Sequence, residues 1–317
     1  MRILIGYDGS ESSDAALDDL TRAGLPREAE ARVVSVADLL MSSPKPEEIL
    51  EAELISRRIA ASLKHAQTHA DRVIKEAEDL VLSAVEKLSP QFPDWEISHE
   101  VLTGNPAWEM IEAADRWSAD LVVVGSKGRS AINRLLIGSV SKRLATDAGC
   151  SVRVARHNQK TSGDNIRILI GVDGSPAAEQ AVHAVGQRVW PGGTEVDLIA
   201  VNDSTPPPAR VATLLPQAAE MLNSYIGNRE SRVHSMLDWA TRELHNIGLK
   251  TSVDTIKGEP GKVLVAEAEK RNADSIFVGT RDFANAFERF RLGSVSTAVV
   301  THAHCTVEIV RPPRRSE

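Results

Sequence analysis

The chain has 317 residues, 42% of them hydrophobic and 26% charged, a composition typical of a soluble globular protein with room for two domains of ordinary size. Its formal net charge of −7 argues against a general nucleic-acid-binding surface. No apolar run approaches the length of a membrane span, and Met1 runs into an apolar strand without a signal-peptide pattern, so we expect a cytoplasmic protein with no membrane partner.

One sequence module occurs twice along the chain. RILIGYDGS at Arg2–Ser10 returns as RILIGVDGS at Arg167–Ser175, with eight of nine residues identical, and GSVS at Gly138–Ser141 returns at Gly293–Ser296. A repeat of about 150 residues indicates a duplicated domain, because solenoid units are roughly 20–50 residues long. The sequence therefore predicts a first domain at 1–156, a linker at 157–165, a second domain at 166–311 and a tail at 312–317.

Each domain begins with short apolar strands separated by helical segments. The predicted elements are a strand at Ile3–Tyr7 and Ile168–Val172, a helix at Ser12–Ala23 and Pro176–Val189, and a second strand at Ala31–Ala37 and Glu195–Val201. A Pro-containing loop and a long helical region follow in each domain. In the first domain Glu47–Leu88 contains neither Gly nor Pro, which is compatible with one very long helix or with two in succession.

The remaining elements complete a strand–helix alternation in both domains. The third, fourth and last strands are predicted at Glu96–Leu102 and Lys250–Ile256, at Leu121–Val124 and Ser275–Val278, and at Ser151–Ala155 and Thr306–Val310. Strands that alternate with helices indicate βαβ crossovers. We therefore expect two tandem Rossmann-like α/β domains, each an open five-stranded parallel sheet with helices on both faces. Asp8 and Asp173 should lie at the carboxyl ends of the central strands of two separate sheets.

The loop after the fourth strand of the first domain has the composition of a phosphate site. It reads GSKGRSAINRLLIGSVS, where Gly125 and Gly128 allow the backbone to approach an anion and Gly138-Ser139 begin a helix with free N–H groups. Lys127 and Arg129 add positive charge. Further groups suited to a ligand are the hydroxyls of Ser139 and Ser141 and the carboxylate of Asp8, placed to accept from a ribose hydroxyl or an adenine amino group or to help hold a metal ion.

This loop resembles the ATP-binding pattern G-x2-G-x9-G-[S/T] of the universal stress protein family, matched without gaps from Gly125 to Ser139. The resemblance covers nearly the whole chain as a tandem pair. It implies ATP binding in the first domain, with Mg²⁺ left open. The implied adenosine pocket is lined by Gly6, Tyr7, Asp8 and Val36, and the implied phosphate ligands are Gly125, Gly128, Gly138, Ser139, Val140 and Ser141. The absence of a Walker loop and of GxGxxG argues against a P-loop NTPase and a Rossmann dehydrogenase.

The second domain departs from this pattern. Asp282 replaces the second glycine and the loop behind it is one residue longer, whereas five counterparts remain: Asp173, Val201, Gly279, Gly293 and Ser294. A carboxylate beside the phosphate path repels the ligand. We therefore expect the two domains to be unequal, with ATP bound weakly or not at all by the second.

The resemblance implies a regulatory role in the stress response. No pairing of a nucleophile with a base is recognisable, so no catalytic residue and no metal site is predicted. Two other classes stay open, a weak ATPase and a scaffold that acts through protein contacts. Phe283, Phe287 and Phe290 share one helical face, either a partner-binding patch or a short helix packed on its own domain. The family's dimerisation through last strands implies an intrachain pseudo-dimer, with a homodimer left open.

Overall fold

A single ten-stranded sheet runs through both domains in the computed structural model, which describes residues 1–38, 52–128, 137–157, 165–202, 216–280 and 292–312, with the backbone alone at 52–65 and 216–229. The strands are β1 Arg2–Gly6, β2 Ala29–Ala37, β3 Trp95–Thr103, β4 Leu121–Gly125, β5 Ser151–Ala155, β6 Arg167–Val172, β7 Glu195–Asn202, β8 Lys250–Lys257, β9 Ser275–Gly279 and β10 Thr306–Val310. The helices are α1 Glu11–Leu20, α2 Ala52–Leu88, α3 Pro106–Arg116, α4 Ser139–Asp147, α5 Pro176–Gly186, α6 Pro216–Asn246, α7 Pro260–Lys270 and α8 Ser294–His302.

The strand order is β3-β2-β1-β4-β5-β10-β9-β6-β7-β8. Within each domain the five strands are parallel, which confirms the predicted class of fold. The expectation of two separate sheets is wrong, because β5 and β10 pair antiparallel at the boundary between the domains. Each last strand would otherwise present an unpaired edge, and their pairing satisfies the backbone groups of both.

Helices cover both faces of this sheet. On one face α3, α4, α7 and α8 enclose a hydrophobic core that is continuous across both domains, with Leu144 and Val299 fully buried in it. On the opposite face α1 and α2 cover a core of the first domain alone, and α5 and α6 cover a separate core of the second. The domains are therefore joined by one sheet and one shared core.

Two helices end earlier than their apolar periodicity predicts. The first ends at Leu20 instead of Ala23, and its counterpart ends at Gly186 instead of Val189. The N–H groups of Arg22 and Ala23 bond carbonyls only three residues back, and Gly24 adopts a left-handed φ of +62°. After α1 the turn residues Arg22 and Ala23 are buried, so the apolar pattern continues past the helix end.

The long helical region of the first domain forms one helix over the part that the structure describes, Ala52–Leu88. Its last turn is tied to the start of α1, since Lys87 Nζ lies 2.5 Å from Asp14 Oδ1 and 3.1 Å from the Tyr7 hydroxyl. Among the helices of the described residues, none combines the length and the apolar character that crossing a membrane requires.

Candidate functional site

The predicted site residues of the first domain meet where the strand order reverses, between the carboxyl ends of β1 and β4. Asp8 follows β1, and its Oδ1 accepts a hydrogen bond of 3.0 Å from the Ser10 N–H, which closes a turn through Gly9 at φ +72°. The Ser10 hydroxyl accepts from the Ser13 N–H and caps α1. This is the crevice in which open α/β sheets bind ligands.

Gly125 has a packing role at this edge. A Cβ built on it would lie 2.4 Å from the carbonyl oxygen of Ser12 and 2.8 Å from the Ser13 nitrogen, both backbone atoms of α1. The end of β4 therefore lies directly against the first turn of that helix. This contact alone explains why residue 125 is a glycine, and no ligand is needed to explain it.

The loop after β4 folds back onto the start of α4. The Gly138 N–H donates to the Ser126 carbonyl at 2.7 Å, and a Cβ on Gly138 would lie 3.3 Å from the Cα of Lys127. Gly128 is exposed at the rim, where a Cβ would lie 3.0 Å from Asp8 Oδ2. Asp8, Gly128 and the N-terminus of α4 are thus brought together.

The two serines at the start of α4 are in different environments. Ser139 is exposed at the first helical position, and its cap, Gly138, has no side chain to accept from the helix's leading N–H groups. Ser141 is buried, and its hydroxyl donates to the Gly125 carbonyl at 2.6 Å. Val140 packs on the shared core. Ser139 faces the open rim, whereas Ser141 anchors the helix to β4.

Two residues assigned to the adenosine pocket have packed side chains. Tyr7 is buried on the α1–α2 face and its hydroxyl donates to Asp14 Oδ1 at 2.7 Å; burial first, and then the Asp14 carboxylate, raise the pKa of this phenol. Val36 packs against the shared core at the end of β2, and Gly6 abuts Met110 and Val124. Their roles toward adenosine stay predictions.

The second domain repeats this local geometry with one difference. The Ser296 hydroxyl donates to the Gly279 carbonyl at 3.2 Å, and a Cβ on Gly279 would lie 2.0 Å from the Ala177 carbonyl oxygen. Asp173, in contrast, is exposed, whereas Asp8 is half-buried.

Several predicted residues lie outside the described part of the chain. Arg129, Asp282, Phe283, Phe287 and Phe290 belong to this group. Of the retained second-domain counterparts, Val201 packs on the shared core and Ser294 begins α8. The inequality of the two domains and the partner-binding patch therefore stay predictions.

Gly125→Ala should lower the free energy of unfolding by about 1–3 kcal/mol, because the new methyl group overlaps helix backbone that cannot rotate away. Urea unfolding followed by circular dichroism measures the loss. The matched control is Gly192→Ala, since no atom of the described residues lies within 4 Å of a Cβ at that position. Equal stability of the two variants would contradict the packing role of Gly125.

The sequence analysis missed a buried polar cluster between the domains, here called the seam cluster. Its members are Asp19, Arg22 and Arg153 of the first domain and Arg188, Asp274, Thr306 and Glu308 of the second. Arg153 on β5 bonds Asp19 through Nε at 2.5 Å and Glu308 through Nη1 at 3.0 Å. Burial opposes the charge of Arg153, but the two carboxylates outweigh burial and raise the pKa of the guanidinium.

A sequence signal for this cluster existed. The last strands, SVRVA and TVEIV, each carry one charged residue at the centre of an apolar run, Arg153 and Glu308. Charged residues are almost never fully buried unless they are paired. Opposite charges at matching positions of duplicated strands therefore indicate a pair across the duplication.

Comparisons with known proteins agree with this architecture. A model of the universal stress protein family matches residues 1–156 and 165–311. A universal stress protein of Mycolicibacterium smegmatis is 27% identical over 318 residues, covering 98% of this chain and 97% of that protein. One of Mycobacterium tuberculosis is 31% identical over 207 residues, 63% of each chain. A solved universal stress protein from Archaeoglobus fulgidus shares the fold at 21% identity, with a TM-score of 0.60 over 98% of this chain and 96% of that one.

Proposed function

Because the chain belongs to the universal stress protein family, we propose that its first domain binds an adenine nucleotide, ATP with or without Mg²⁺, and that this binding serves a regulatory role in the cytoplasmic stress response. The observation that carries the proposal is the meeting of Asp8, Gly128 and the N-terminus of α4 at one edge of the sheet. Each of the three suits a different part of a nucleotide.

The phosphates are assigned to the start of α4. The leading N–H groups of a helix and its positive dipole end favour an anion, and Gly138 contributes no side chain to compete for them. Ser139 adds an exposed hydroxyl one residue further on. Gly128 leaves its backbone uncovered, so a phosphate can approach the loop there.

The nucleoside is assigned to the end of β1. Asp8 holds one carboxylate oxygen against the Ser10 N–H, and the other points toward Gly128 at the rim. A carboxylate with this fixed orientation accepts hydrogen bonds from ribose hydroxyls or from the adenine amino group. We assign Val36, at the end of β2, to the wall of this adenosine pocket.

Calorimetric titration of the full chain with ATP·Mg²⁺ tests this function. We expect one site per chain, and mass spectrometry of denatured protein should find any copurified adenine nucleotide at no more than one per chain. No binding would favour a scaffold that acts through protein contacts, and two equal sites would contradict the inequality of the domains. Phosphate release, measured with and without Mg²⁺, separates binding from slow hydrolysis.

A further inference from the structure

The seam cluster is not symmetric, although the domains around it are duplicated. The repeat aligns Arg153 with Glu308, Asp19 with Ala184, and Ala23 with Arg188. Each domain therefore contributes a different set of charges to the boundary. The first offers a central arginine with an acid on its helix, and the second offers a central glutamate with an arginine after its helix.

The register of β5 and β10 determines which charges meet when two domains pair. Arg153 lies opposite Glu308 in the antiparallel pair, and both side chains are 1% exposed. The same register between two copies of β5 would place Arg153 opposite Arg153, and two copies of β10 would oppose two glutamates. Like charges directly opposite each other destabilise a sheet, and burial away from water increases their cost.

Each domain retains one counter-ion of its own, which offsets only part of that cost. Asp19 bonds Arg153 within the first domain, and Arg188 bonds Glu308 within the second. Among the described contacts across the boundary, the Arg153–Glu308 pair is the one that neither like pair of domains can form. Two first domains keep the groups of the Thr306–Asp19 and Arg22–Asp274 contacts, because the repeat aligns Thr306 with Ser151 and Asp274 with Asp120. Two second domains keep a backbone carbonyl at the position that Arg188 bonds in Ala23.

Shape adds a second, independent difference. The Trp190 ring of the second domain lies over Gly24 of the first, where a Cβ would come within 2.6 Å of the ring. The repeat aligns Gly24 with Val189 and Trp190 with Leu25. Two copies of the second domain would therefore bring Trp190 against the side chain of Val189, and two copies of the first would leave Leu25 to fill the space of an indole.

We propose that the seam is a recognition surface that accepts only the unlike domain. β5 of a first domain pairs with β10 of a second domain, from the same chain or from another copy. It does not pair with β5 of another first domain. Duplication thereby converts a surface suited to self-pairing into a selective one. Whole chains that associate further then do so through other surfaces. Alternatively, the first domain of one chain pairs with the second domain of another.

The experiment starts from the full chain with a protease site placed at 158–164, cleaved after folding. The cleaved protein and a ¹⁵N-labelled copy are mixed in urea and returned to buffer, so that every domain meets both kinds of partner. Native mass spectrometry should then find labelled and unlabelled domains in 1:1 unlike complexes only. Dimers of like domains would overturn the proposal.

Charge transposition gives a second readout. Glu308→Arg with Arg188→Glu gives the second domain the charge pattern of the first, and should weaken the cleaved complex at least about 100-fold. Adding Arg153→Glu and Asp19→Arg transposes the charges of the first domain as well. The affinity should then be at least about tenfold higher than that of the half-transposed protein. Retention of affinity by the half-transposed protein, or absence of recovery in the fully transposed one, would overturn the proposal.

Discussion

Gly128→Asp is expected to weaken ATP binding by the first domain about a thousandfold. Like charges about 4 Å apart cost on the order of 4 kcal/mol at an effective dielectric of 20, and each 1.4 kcal/mol is about tenfold in affinity. The substitution places in the first domain the residue that the second carries at Asp282. Calorimetric titration with ATP·Mg²⁺ measures the loss.

Two further variants separate charge from bulk at this position. Among the described residues, a Cβ at residue 128 contacts one atom, Asp8 Oδ2 at 3.0 Å, so Gly128→Ala should fold and bind with a modest loss. Gly128→Asn has the shape of the aspartate without its charge and should fall between the two. If Asn is as damaging as Asp, bulk is the cause, and if Asp binds normally, the phosphate does not pass residue 128.

Much of the fold was predictable because buried parallel strands have a plain sequence pattern. Both faces of such strands are covered, so β4 is a continuous apolar run that ends at Gly125. The predicted bounds of β5 and β10 also agree with the structure, although each strand has one charged residue at its centre. Helix starts were equally plain, since Pro106 and Ser139 follow Asn105 and Gly138 caps. The end of α1 was less predictable, because Ala23 in the turn that follows this helix is also buried.

The pairing of the two sheets could not be read from the strands one at a time. β5 and β10 are buried like the interior strands, and they differ in this from the largely exposed edge strands β3 and β8, but burial alone does not name the strand that each one pairs with. The information lay in a comparison of the repeats, where one central residue changes sign between Arg153 and Glu308. The sequence analysis used the similarity of the repeats and missed this difference, which is the signal for the boundary between the domains.

The site illustrates a different limit. Glycine serves close packing and ligand approach by the same property, the lack of a Cβ, so a motif cannot separate the two roles. At Gly125 the backbone of α1 supplies a packing cause, whereas at Gly128 the nearest atom of the described residues is a carboxylate oxygen of Asp8 at the rim. Of the two glycines, Gly128 is therefore the sharper test of nucleotide binding.

Arg153→Met should destabilise the full chain by about 3–5 kcal/mol, the usual cost of removing one partner from a buried ion pair. The arginine bonds both Asp19 and Glu308, and its loss leaves two buried carboxylates with fewer donors. Methionine keeps most of the apolar stem, so the change isolates the guanidinium. Urea unfolding monitored by circular dichroism and by tryptophan fluorescence measures the loss, because Trp190 lies beside the cluster.

Arg116→Met is the matched control, since Arg116 also pairs with a glutamate, Glu100 at 2.9 Å, but is half exposed on the surface of the first domain. An exposed pair contributes about 0–1 kcal/mol, so this variant should unfold close to the wild type. Glu308→Gln added to Arg153→Met should cost less than the sum of the two single changes, because both remove the same contact. Additive losses would mean that Arg153 stabilises the chain through Asp19 alone. The Arg153–Glu308 ion pair would then not hold the two domains together.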